Sequence, residues 1–249
     1  MIMKKLLPVL LAISIFSIAM AFLETAVVVY LRELLYPEGF KFPLAAMPAN
    51  LMLTEILREA ATILMLLGAG VLAGKTFSQK FAWFIYAFAV WDIFYYVFLK
   101  LLINWPESFL TWDVLFLIPT TWTGPVLSPI IVSLTMIALA MVILVFAFRG
   151  AKTRIKPSEW LLLSFGSLIV ILAFIWDYSS FILTYFTLGD LWSLPDKDRL
   201  YDTAMKYIPL KFNWLIFASG EVTLVATIIK YYRRIERSRQ QLHQTTFSK

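Results

Sequence analysis

Six apolar runs, each long enough to cross a bilayer, alternate with short polar or proline-rich segments along the 249-residue chain. An α-helix rises about 1.5 Å per residue, so about 20 apolar residues span the roughly 30 Å hydrocarbon core. The runs predict helices over 6–35, 49–72, 81–103, about 125–148, 158–188 and 210–231. The first is long for one crossing, and its end around Arg32 and Glu33 is expected to project beyond the core. Tyr36–Pro48 holds Pro37, Pro43, Pro48 and Gly39, and reads as a loop. In the polar stretch Gly189–Pro209, Leu200, Ala204 and Ile208 recur at helical spacing. That recurrence predicts a short helix lying on the membrane surface.

One interval breaks the alternation. Between Trp105 and Pro129 the apolar core, Phe109–Ile118, is too short to span. Pro106, Pro119, Pro125 and Pro129 punctuate it, and Trp105, Trp112 and Trp122 suit the headgroup level. These features predict a short interfacial or re-entrant helix near 109–118. The expected fold class is all-α, a polytopic helical membrane protein with six transmembrane helices plus that short helix. Residues 1–231 form one transmembrane domain, and 232–249 a basic, polar, mobile tail.

Composition agrees with the pattern. Hydrophobic residues make up 61% of the chain and charged residues 15%, against about 45–50% and 25% in soluble domains. The net charge of +6 could suggest nucleic acid, but the basic residues lie between hydrophobic runs and in the tail. That placement excludes nucleic acid as the expected partner and points to membrane lipids. Lys4, Lys5, Lys75, Lys80, the Arg149–Lys156 cluster and the tail fall on one side of a six-span topology. The sparser Lys41, Lys197, Arg199, Lys206 and Lys211 fall on the other. The positive-inside rule then puts both termini in the cytoplasm of a bacterial-type plasma (inner) membrane. Counting Phe109–Ile118 as a seventh span would export the Arg149–Lys156 cluster. The N-terminus also resembles a signal peptide, with Lys4 and Lys5 before Leu6–Ile18 and a candidate cleavage site at Ala19–Ala21. The apolar run continuing past Ala21 favours an uncleaved first span.

The chain has no cysteine, and its single histidine, His243, lies in the tail. Disulfides, thiolate metal sites, His-ligated haem and intramembrane His-ligated zinc are excluded. No cofactor or metal is implied.

What remains is a set of acids inside apolar spans: Glu24, Glu55, Glu59, Asp92, Asp177 and Glu221. Charges at bilayer depth cost several kcal/mol and must face protein, water or an ion. Glu55, Arg58 and Glu59 sit three and four residues apart and share one helix face. Asp92 shares a face with Tyr95 and Tyr96. Carboxylates beside aromatic rings suit a cation or a proton relay. The leading expectation is a small proton- or cation-coupled transporter or binding protein. Glu55 and Glu59 would hold the cation or proton, Asp92 and Glu221 would assist, and Arg58 would position the acids. Two other readings stay open. One is a membrane-embedded enzyme acting on a lipid or isoprenoid, with Asp92, Glu59 or Glu221 as general acid or base and Tyr95 or Tyr96 assisting. The other is an accessory subunit of a membrane complex, its acids buried structurally.

Overall fold

The computed structural model describes residues 2–187, 189–190 and 197–247. Its helices are α1 (Ile2–Leu35), α2 (Ala49–Ala73), α3 (Phe77–Ile103), α4 (Leu127–Phe148), α5 (Pro157–Leu183), α6 (Lys197–Ala204) and α7 (Trp214–Phe247). Two strands, β1 (Trp112–Phe116) and β2 (Trp122–Pro125), lie between α3 and α4. Six of these helices are long and apolar enough to cross a membrane. The protein is therefore an integral, multi-pass, all-α membrane protein.

Local chemistry explains the helix ends. The Thr76 hydroxyl accepts the Gln79 amide at 3.3 Å and caps α3. The same helix stops at Asn104, whose φ of 53° is left-handed; asparagine tolerates that conformation better than most residues. Pro157 opens α5, where its missing N–H costs nothing. Glu159 reaches back to the Lys156 amide at 2.8 Å. The Asn213 side chain takes the Ile216 amide at 3.2 Å, which starts α7 four residues later than the hydropathy pattern implies. A short helix forms in the polar stretch as α6, ending before Ile208; Asp196, within the same stretch, lies outside the described residues.

Helix α3 is central, packed by α1, α2 and α4, while α5 and α7 pair and join the rest through α4 and the strands. Close approach depends on small residues where helix backbones meet. A Cβ on Gly220 would come within 2.7 Å of Val170 Cγ2 and 2.9 Å of the Gly166 carbonyl oxygen. A Cβ on Gly70 would come within 2.7 Å of the Phe84 backbone nitrogen.

Two expectations are corrected. The segment near 109–118 is not a helix: its second half is one arm of an antiparallel hairpin, with Trp112 opposite Pro125, Asp113 opposite Gly124 and Val114 opposite Thr123. Aromatic and β-branched residues favour the pleated form, and prolines at both ends leave too little chain for stable helical turns. A two-stranded hairpin is marginal alone. This one is held by ring contacts, Phe116 stacking on Phe88 at 6.2 Å and Trp122 on Phe174 at 6.0 Å. The second correction concerns the tail. Helix α7 does not end near Tyr231 but continues through Phe247, with Tyr231 and Ile235 buried against the α4–α5 loop side of the bundle.

Overpacking costs about 1–3 kcal/mol, so Gly220→Ala should lower the melting temperature in detergent. Gly68→Ala, where nothing lies within 4 Å of the added carbon, should leave it unchanged or raise it. Equal behaviour of the two variants would show that the α5–α7 contact is not close-packed.

Candidate functional site

A partly open cavity of about 170 Å³ lies among α1, α2 and α3, with β1, the α1–α2 loop and Met205 completing its wall. Its charged lining is Glu24 and Arg32 from α1, Glu55, Arg58 and Glu59 from α2, Asp92 from α3 and Asp113 from β1. Trp91, Tyr95, Tyr96, Phe40 and Phe116 add aromatic wall. Helical spacing brings the α2 groups to one face, and Glu59 and Thr62 are its buried polar members.

Arg58 serves two carboxylates. Its Nε and Nη2 donate to Glu55 at 2.9 and 2.5 Å, and its Nη1 pairs with Glu24 across the gap to α1. Glu24 also accepts from the Thr62 hydroxyl at 3.1 Å. A second guanidinium lines the side next to β1. Arg32 Nη2 donates to Asp113 at 3.1 Å, and its guanidinium carbon lies 3.8 Å from the Trp105 ring centroid and 4.4 Å from that of Phe40. Those ring faces offset part of the desolvation of the cation. Tyr96 donates to the other Asp113 oxygen at 3.3 Å. Burial pushes the Asp113 carboxyl up to about 6, with Arg32 pulling the other way. Arg32 is its ion-pair partner.

Glu59 and Asp92 are different. Glu59 is buried and accepts the Leu117 amide at 2.9 Å. Asp92 accepts the Ser133 hydroxyl at 2.7 Å. Among the described residues neither forms an ion pair, and both described guanidiniums of the cavity already hold other acids.

Of the residues singled out from sequence, Glu24, Glu55, Arg58, Glu59, Asp92, Tyr95 and Tyr96 meet in this cavity. Asp177 and Glu221 do not. Asp177 accepts from the Tyr207 hydroxyl at 2.7 Å and the Leu210 and Lys211 amides at 3.1 and 3.3 Å, which ties the segment before α7 to α5. Tyr207 also meets the Thr123 hydroxyl at 2.9 Å, so this cluster fastens the hairpin. Glu221 accepts from Thr135 at 2.7 Å, between α7 and α4. Sequence reasoning missed Asp113. Its signal is a lone acid inside an apolar, proline-bounded run.

Among the described residues, no group of three or more acids or histidines is arranged to hold a metal ion. No protein-family model, curated protein or solved structure matches the chain.

Removing one partner of a buried ion pair costs about 3–5 kcal/mol because a charge is left uncompensated. Arg58→Leu should therefore destabilise the protein strongly. Combining it with Glu24→Gln and Glu55→Gln should recover most of the loss, as read by thermal denaturation in one detergent. A single variant that melts like the parent would show that the bridge does not hold α1 to α2.

Proposed function

We propose that this chain binds a small cation or a proton in the α1–α2–α3 cavity, acting as a proton- or cation-coupled transporter or as a binding protein. The reading rests on one observation: the cavity gathers five carboxylates (Glu24, Glu55, Glu59, Asp92, Asp113) and two guanidiniums (Arg32, Arg58), an excess of three acids. A buried carboxylate without a counter-charge is costly. Glu59 and Asp92 each hold a hydrogen bond but no ion pair among the described residues, so a proton or a small cation would offset their charge, and the aromatic wall suits one. The cavity of about 170 Å³ is small beside the roughly 300–1,000 Å³ of drug-sized ligand sites. That size favours an ion or small amine over a lipid or isoprenoid substrate. The distribution of Lys and Arg supports cytoplasmic termini, which turns the cavity towards the outer side.

The test uses the full chain in liposomes loaded with a pH-sensitive dye. Proton flux is followed under gradients of sodium, potassium or methylammonium, and binding of the same cations is measured by calorimetry in detergent. The parent protein should show flux or binding for at least one probe. Glu59→Gln and Asp92→Asn should each lose it while keeping the melting temperature, since both replacements retain shape and hydrogen bonding. Neither flux nor binding in the parent, or unaltered behaviour in both variants, would overturn the reading.

A further inference from the structure

The opposite end of the bundle carries a second concavity of about 650 Å³, formed by the α4–α5 loop and the extended part of α7. Six cations line it: Arg149, Lys152, Arg154, Lys156, Arg234 and Arg239. Two are matched, Arg234 by Glu159 and Arg239 by Glu236. Among the described residues the other four side chains form no salt bridge, and all four residues are exposed. We propose that this groove binds a phosphate-bearing anion, supplied in the membrane by the headgroup of an acidic phospholipid.

Orientation in the membrane does not account for the arrangement. The positive-inside effect depends on how many Lys and Arg a loop carries, and is satisfied wherever they point. Here they converge on one hollow, where like charges repel, and the backbone is fixed so that they stay there. Gly150, at φ +81°, turns the chain directly after α4. Ile155 is buried, and the Tyr231 hydroxyl donates to the Thr153 carbonyl at 2.8 Å. Arg234 Nη2 donates to the Arg154 carbonyl at 3.0 Å. The same guanidinium makes two bonds to Glu159, at 2.6 and 2.7 Å. Arg234 thus clamps loop to helix, and the four unmatched cations are presented on that frame.

The level in the membrane fits a headgroup. The groove lies between the last residue of α4 and the first of α5, where both apolar spans end. Tyr232 packs on Phe146 at 5.5 Å and Trp160 on Phe81 at 4.8 Å, a placement typical of side chains at the bilayer interface. The volume is in the range of small-molecule sites. Arginine and lysine together suit a phosphate, by forked hydrogen bonds and by point charge.

The test compares three probes on the full chain in neutral detergent: phosphatidylglycerol, phosphatidylcholine and inorganic phosphate. Readouts are lipids retained in native mass spectrometry and the shift in melting temperature. Lys152→Gln/Arg154→Gln empties the groove of two unmatched cations. Arg233→Gln/Arg237→Gln removes the same charge from exposed positions on α7 outside it. With two of its four unmatched cations gone, the groove variant should bind phosphatidylglycerol on the order of tenfold or more weakly. The control variant should bind like the parent. Stabilisation by phosphatidylglycerol but not by inorganic phosphate identifies the lipid as source; competition by inorganic phosphate identifies a soluble phosphate in the same site. Equal weakening in both variants, or equal retention of phosphatidylcholine, would overturn the proposal.

Discussion

Arg58 bridges a gap that packing does not close. Helix α2 lies along α3 but touches α1 only sparsely, and its outer face exposes Leu53, Leu57, Leu64 and Leu72. In lipid, apolar side chains gain little by leaving the bilayer for a neighbouring helix, so van der Waals fit and polar contacts decide which helices associate. The Arg58–Glu24 pair and the Thr62–Glu24 bond supply that contact at the cavity end. Each member is buried enough that its loss strands the others. This makes the α1–α2 junction a cooperative unit and fixes the width of the cavity between them.

The hairpin completes the enclosure by the same means. Irregular backbone at membrane depth survives only where protein covers it and satisfies its polar groups. Here Arg32 binds Asp113, Glu59 takes the Leu117 amide, and Tyr207 bonds both Thr123 and Asp177. Rings from α3 and α5 cover the two faces. The hairpin is thus tied to α1 and α2 on the cavity side and to α5 and the segment before α7 on the other. The charges that line the cavity also hold the hairpin in place.

Helix number and the acidic face of α2 were legible because they follow from local periodicity. Glu55, Arg58 and Glu59 lie on one face in any helix, and depth in the bilayer demanded partners for them. The grouping of Glu24 and Asp92 with them was legible only as a requirement that intramembrane acids find company. The same requirement misplaced Asp177 and Glu221, because each finds its hydrogen-bond partners outside the cavity. Tyr207 with two amides serves Asp177, while Thr135 serves one oxygen of Glu221 and leaves the other without a hydrogen bond among the described residues. The hairpin was not legible. Strand pairing between 112–116 and 122–125 is set by partners distant in sequence, such as Phe88 and Phe174, and the apolar stretch has no clear alternation to reveal it. The continuation of α7 past Tyr231 was hidden for a related reason: its polar surface reads as a tail until Ile235 and Arg234 are seen to dock on the α4–α5 connection.

The single hydrogen bond from Leu117 to Glu59 joins the chemistry of the cavity to the position of the hairpin. A bond from an amide to an ionised carboxylate is roughly twice as strong as one to a neutral acid. A proton settling on Glu59 would weaken the tether of the hairpin, whereas a metal or ammonium ion beside the ionised group would leave it intact. The two candidate occupants therefore act differently on the hairpin although they neutralise the same charge. Asp113 and Arg32 hold the neighbouring edge of the hairpin independently of Glu59. Weakening at Leu117 would consequently leave the hairpin held by Arg32, Tyr207 and the rings of Phe88 and Phe174.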